Sequence, residues 1–100
     1  YPVGAALLTK DNNVILGCNV ESKAYPTTLC AERVAIFSAL AQGHQRFIAL
    51  ALATRDGAFP CGSCRQIIYE YAGEIPIYIS NESCKYVTHT ISDLLPYPFG

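Results

Sequence analysis

Phe47-Ile48-Ala49-Leu50-Ala51-Leu52-Ala53 is an unbroken apolar run of strand length. Such a run reads as a strand covered on both faces, the pattern of a helix-flanked parallel sheet. The flanks agree. Upstream, Cys30 to Ala41 carries small and apolar residues on more than one face and stops before Gly43, a helix with a glycine at its end. Thr27 and Thr28 are its candidate N-caps, with Glu32 downstream of both. Downstream, Arg55-Asp56-Gly57 is a turn, Pro60 suits a helix entry, and Cys61 to Tyr71 reads as a second helix ended by Gly73.

Further out, Val3 to Thr9 and Val14 to Val20 flank the turn signal Asp11-Asn12-Asn13 and predict a β-hairpin. Gly4, Ala5 and Ala6 are small for a strand and predict close approach of a helix or ligand. Ile75 to Ser80 and Tyr86 to Thr90 are two more strands, and Asp93-Leu94-Leu95-Pro96 begins a short terminal turn or helix. The order β-β-α-β-α-β-β places the chain in the α/β class with a partly parallel sheet. There is one domain, spanning residues 1–100, and no repeat or linker. The chain opens inside an apolar segment, Tyr1-Pro2-Val3-Gly4, which suggests a further element before it.

Seven basic and eight acidic side chains give a net charge of −1. The basic residues Lys10, Lys23, Arg33, Arg46, Arg55, Arg65 and Lys85 are scattered. Nucleic-acid binding needs a clustered basic footprint, so a small, nearly neutral ligand fits better. No apolar run reaches the roughly 18–20 residues of a membrane helix, and no signal peptide is visible.

Both helices begin at cysteines: Cys30-Ala31-Glu32 and Pro60-Cys61-Gly62-Ser63-Cys64. Helix N-termini present free N–H groups and a partial positive charge, which favour the thiolate that binds metal. Three thiolates can hold Zn²⁺ and leave its fourth tetrahedral position open for water. Glu32, beside the first of them, is placed to carry a proton. Its plain alternative is a first-turn glutamate favoured by the helix dipole. Three thiolates also leave an excess negative charge. Arg33, which would otherwise be a surface helix residue, is the candidate to offset it by hydrogen bonding to a ligand sulfur. With Cys18 and Cys84 the cysteine count is five, an odd number that fits a disulfide scaffold poorly. A closed four-cysteine zinc site would recruit Cys18 or Cys84. Cys18 lies in an apolar strand and reads as a buried small side chain, and Cys84 sits in a polar turn. His44, after the helix-ending glycine, reads as solvated, and His89 falls in a late strand. Neither is given a role.

Gly17-Cys18-Asn19-Val20-Glu21, Cys30-Ala31-Glu32-Arg33, Pro60-Cys61-Gly62-Ser63-Cys64-Arg65-Gln66 and Leu94-Leu95-Pro96 closely resemble the cytidine deaminase family in its short, homotetrameric, three-cysteine form. Val3-Gly4-Ala5-Ala6-Leu7 is similar too, so the likeness covers almost the whole chain. The resemblance implies a three-layer α/β/α fold around a mixed five-stranded sheet, and one zinc per chain held by Cys30, Cys61 and Cys64. It implies cytoplasmic, hydrolytic conversion of cytidine and deoxycytidine to uridine and deoxyuridine in pyrimidine salvage, with ammonia released. By the same resemblance, hydroxide generated at zinc attacks C4, Glu32 protonates N3 and then the leaving amine, and the Ala31 N–H contacts the base. Asn19 and Glu21 would bind the ribose 3′ hydroxyl. Tyr1, in place of a usual Phe, would line the pocket, and Phe99 would be lent to a neighbouring subunit. Arg33 and Gln66 would support the ligands from behind.

The chain also departs from the family. Ser22-Lys23-Ala24-Tyr25 stands where Asn-Ala-Ser-Tyr is usual, Pro26 where Gly is common, and Phe59 where a small residue precedes Pro60. These changes reshape the pocket edge. The related blasticidin-type deaminases share the Cys-Ala-Glu and Pro-Cys-Gly-x-Cys-Arg-Gln elements but usually lack Asn-Val-Glu. Deamination of another cytosine-containing nucleoside such as blasticidin S, or a non-catalytic zinc-binding assembly module, are the alternatives.

Overall fold

The hairpin turn is built by its own side chains. In the computed structural model, which describes residues 1–24 and 27–100, β1 (Val3–Thr9) and β2 (Val14–Cys18) pair antiparallel. The buried Thr9 hydroxyl donates to Asp11 Oδ1 at 2.6 Å and accepts from the Asn13 N–H at 3.0 Å, while Asn12 takes a left-handed φ of 67°. Tyr25 and Pro26 lie outside the described residues.

The remaining elements are α1 (Ala31–Ala41), β3 (Phe47–Thr54), α2 (Gly62–Ile67) continuing into a π-helical turn at Ile68–Ala72, β4 (Ile77–Ser80), β5 (Tyr86–His89) and α3 (Ile91–Leu94). They form a five-stranded sheet of order β2-β1-β3-β4-β5. β3 and β4 are parallel and the other neighbours antiparallel, so the mixed α/β sheet is the expected one. No helix among the described residues is long and apolar enough to cross a membrane.

Helix boundaries follow local chemistry, with two corrections. The N-cap of α1 is Cys30, not Thr27 or Thr28. Thr28 instead accepts the Ser22 N–H at 2.9 Å and braces the preceding loop. The second helix does not stay α-helical to Tyr71. It widens into the π-helical turn, whose last bond runs from the Gly73 N–H to the Ile68 carbonyl at 2.9 Å. Gly43 ends α1 as expected. At a φ of 92° it donates to Leu40, and His44 donates to Ala39. Thr90 and Asp93 form a capping box on α3.

The core lies between the sheet and α1, the π-helical turn and α3. Leu7, Ile15, Leu50, Leu52, Ile77 and Ile79 from the strands meet Ala35, Ile36, Ala39, Ile68, Ile91 and Leu94 from the helical segments. Of the three expected layers, the described residues supply the sheet and this helical layer. β3 is therefore not covered on both faces. Leu50, Leu52 and Thr54 are buried, but Ala51 and Ala53 alternate with them on an exposed face. An unbroken apolar run hides this alternation because alanine counts as apolar on either face.

The close approach predicted at Gly4, Ala5 and Ala6 occurs at Gly17. Among the described residues nothing lies within 4 Å of a Cβ built on Gly4. A Cβ on Gly17 would sit 2.5 Å from the Ala31 carbonyl oxygen and 2.7 Å from the Ala35 nitrogen, both backbone atoms of α1. Gly17→Ala is therefore expected to push the start of α1 off β2 and to cost about 1–3 kcal/mol or more, the range for overpacking a rigid contact. Urea unfolding of the variant checks this, and an unchanged midpoint would refute the contact.

Candidate metal centre and catalytic cavity

Strand direction brings the two cysteine clusters together. β2 and β3 flank β1 and are both antiparallel to it, so they run the same way. Their carboxyl ends, Cys18 opposite Gly4 and Thr54 opposite Val3, reach the same edge of the sheet. α1 follows β2 and α2 follows β3, so both helices start at that edge. A two-bond bridge between Val20 and Leu29, at 2.8 and 2.9 Å, then ties the exit of β2 to the residue before Cys30.

Cys30 and Cys61 are the N-caps of α1 and α2, and neither side chain makes a capping hydrogen bond. Cys64 is fully buried in the first turn of α2. The sulfurs lie 3.7 Å apart for Cys30 and Cys61, and 3.5 Å for Cys61 and Cys64. A disulfide needs about 2.05 Å. A tetrahedral zinc with Zn–S bonds of about 2.3 Å sets its sulfurs about 3.8 Å apart. All five cysteines are free thiols, and among the described residues neither Cys18 nor Cys84 joins the cluster. Cys18 is exposed rather than buried, because it falls on the uncovered face of β2. The disulfide and four-cysteine alternatives therefore do not fit these distances. The donor set is three thiols with a fourth position free, and it suits zinc.

Electrostatics at the cluster call for a cation. Burial, and next the neighbouring Glu32 carboxylate, push the Cys64 thiol far above the usual thiol range. Burial also acts upward on Cys61. There it is outweighed by the Cys64 backbone N–H and the adjacent thiols, so the net shift is downward. A bound metal reverses the penalty on Cys64, since coordination deprotonates a thiol outright. Arg33 Nη2 donates to Cys30 Sγ at 3.6 Å and to the Thr28 carbonyl at 3.3 Å. Its placement is the one that offsets excess thiolate charge.

Glu32 is 3 % exposed, and its Oε1 is buried without a hydrogen-bond partner among the described residues. Leaving a buried carboxylate oxygen unpaired costs about 1–3 kcal/mol or more, so the site is shaped for a group that supplies the missing donor. Glu32, Cys30 and Cys61 line a cavity of about 270 Å³ that also includes Tyr1, Asn19, Glu21, Leu52 and Phe59.

Other expected site residues fall in two groups. Asn19 lies at the cavity, but its amide is already used: Oδ1 accepts the Val3 N–H at 3.0 Å, and Nδ2 donates to the Tyr1 carbonyl at 2.8 Å. A longer contact of 3.4 Å reaches Glu21. Tyr1 lines the wall, with its hydroxyl bonded to Asp56. Ala31 is buried behind Cys30, and its carbonyl faces Gly17. Gln66 and Phe99 are not brought to the cavity. Gln66 clips the chain end, accepting the Phe99 N–H at 3.1 Å and donating to the Phe99 carbonyl at 2.9 Å. Among the described residues no hydrogen bond joins it to a thiol, so the expected support for the ligands comes from Arg33. The Phe99 ring is 87 % exposed.

Arg65, part of the second motif, has a structural role that spacing along the chain does not assign. Its Nε donates to the Pro60 carbonyl and its Nη1 to the Leu94 carbonyl, both at 2.8 Å, locking the loop before Cys61 to α3. Its place directly after Cys64 was the available signal. His44 is half-buried rather than solvated, with Nδ1 3.5 Å from Asp11 Oδ1 in the hairpin turn.

An α/β fold with a three-thiol metal centre beside a ligand-sized cavity, and a buried carboxylate next to it, defines a zinc-dependent hydrolytic enzyme. Residues 1–84 match the family model described as the cytidine and deoxycytidylate deaminase zinc-binding region. The chain is 44 % identical to a cytidine deaminase of Sporosarcina psychrophila, with all of this chain and 76 % of the relative aligned. It is 40 % identical to one from Halalkalibacterium halodurans, over 99 % of this chain and 77 % of the relative. It also superposes on the crystal structure of cytidine deaminase from Burkholderia pseudomallei with a TM-score of 0.91 at 40 % identity, covering 98 % of this chain and 81 % of that one. The chain belongs to the cytidine and deoxycytidylate deaminase family.

Proposed function

We propose that this enzyme hydrolyses cytidine and deoxycytidine to uridine and deoxyuridine with release of ammonia, in cytoplasmic pyrimidine salvage. The observation that carries the reading is the unpartnered Glu32 Oε1, buried in a cavity wall beside three convergent thiols. When bound, zinc supplies a water acidified towards neutral pH as the nucleophile for C4.

The chain's own groups do the rest. Glu32 takes a proton from the attacking water, passes it to N3 of the base, and later delivers a proton to the departing amine. Its burial keeps competing water away and strengthens its interaction with the base. The Ala31 N–H, at the open N-terminal turn of α1, is a donor for the base. Glu21 accepts a ribose hydroxyl. Asn19, anchored to the start of β1, offers its second amide hydrogen by giving up the long contact to Glu21. Arg33 draws charge from Cys30 and so preserves the acidity of the metal.

Assembly as a homotetramer belongs to the same reading. The backbone clip by Gln66 holds the exposed Phe99 ring away from its own subunit, where it can reach a neighbour's cavity.

A substrate panel tests the proposal. Cytidine and deoxycytidine are expected to lose their absorbance with stoichiometric ammonia release, faster than free cytosine or blasticidin S. A preference for free cytosine would remove the role of Asn19 and Glu21, and no turnover of any of the four would overturn the proposal.

A further inference from the structure

Phe59 lines two cavities. One is the catalytic cavity, which it shares with Cys30, Glu32 and Cys61. The other is a neighbouring cavity of about 220 Å³, whose polar wall is formed by Asp56, Asn81 and Lys85. The ring is therefore a partition between them. It is 46 % exposed, so no packed core holds it from every side. It is supported on the His89 imidazole, with ring centroids 5.3 Å apart and planes at 53°. His89 Nδ1 lies 3.6 Å from Asp93 Oδ2, and Asp93 closes the capping box of α3. The partition thus rests on a capped element of the fold.

Its place along the substrate follows from the metal end of the cavity. Phe59 precedes Cys61 by two residues, whereas Asn19 and Glu21 enter from the exit of β2. Resting on the proposed deamination, C4 of the base lies at the thiol cluster, and the exocyclic N4 is the atom nearest the Phe59 wall. We propose that Phe59 is a specificity-determining residue that restricts the enzyme to cytosine nucleosides unsubstituted at N4, and that the solvent-open hollow beyond it, which the ring separates from the catalytic cavity, is a subsite for a short polar N4 substituent. A substituent with a hydroxyl fits that space, because Asp56, Asn81 and Lys85 supply both hydrogen-bond acceptors and donors.

N4-(2-hydroxyethyl)cytidine is the probe. Water adds at C4, the C4–N4 bond breaks, the amine takes the proton, and the products are uridine and ethanolamine. For Phe59→Ala, the ratio of kcat/KM for this probe to that for cytidine is expected to rise about tenfold or more over wild type, the scale of removing a steric wall. His89→Ala, which takes away the support of the ring, is expected to raise the ratio less, and it stands in should Phe59→Ala not fold. Binding supplies a readout independent of turnover. In the Glu32→Gln background, Phe59→Ala should bind the probe tighter relative to cytidine by a similar factor, measured by calorimetry. An unchanged ratio in both assays, with cytidine still bound, overturns the partition. Absence of cytidine turnover in wild type with a shifted binding ratio overturns the deaminase proposal instead and leaves the partition standing.

Discussion

Glu32→Gln is expected to lower kcat for cytidine by about 10²–10⁴-fold while each chain keeps its zinc, because general acid–base catalysis contributes on that scale. At 1.36 kcal/mol per tenfold, this is roughly 3–5 kcal/mol of barrier. The amide keeps the shape of the side chain, so the packing around a residue only 3 % exposed is preserved. What it loses is the capacity to accept a proton and return it. Zinc should stay, because the three sulfurs and not the carboxylate form the convergent donor set. Absorbance assays and metal analysis on the same sample separate the two effects. Full activity would sink the proton-carrier role, and loss of zinc would make Glu32 a ligand.

The second large effect is at Cys64. Cys64→Ser is expected to abolish zinc binding and activity together, and to lower Tm by about 10 °C or more. Two thiols remain where the metal requires three protein ligands. The lost metal also removes a cross-link between the start of α1 and the start of α2. A domain of this size shifts by about 4–8 °C per kcal/mol, so the predicted drop corresponds to roughly 2 kcal/mol. Cys18→Ser is the matched control, since Cys18 is exposed and stands apart from the cluster. It should keep one zinc per chain. Retention of zinc by Cys64→Ser, measured after gel filtration, would refute the three-thiol centre.

Residues whose role depends on local chemistry were legible before folding. The thiols at two helix starts, the carboxylate beside the first, and the arginine after it are all defined by neighbours a turn away or less. Residues whose role depends on distant partners were not. Gln66 follows Cys64 closely in sequence, yet its amide is spent on Phe99 at the chain end. Asn19 looked like a free ligand for ribose, but most of its amide anchors the first strand. The alanines of β3 concealed which face of the sheet was covered, because a small apolar side chain loses little by standing exposed.

By itself the sequence nominated three thiols as a donor set and Glu32 as a proton carrier, and it placed both clusters at helix N-termini, where dipole and free N–H groups favour thiolates. It determined the α/β class as well, through the alternation of strand and helix. The tertiary structure decided that these groups form one site. β1 lies between β2 and β3 and runs against both, so the two helix starts emerge at the same sheet edge. Gly17 then lets α1 settle against β2 at a distance no side chain would permit. Strand direction and a missing Cβ are properties of packing between distant segments, so no spacing along the chain could have reported them.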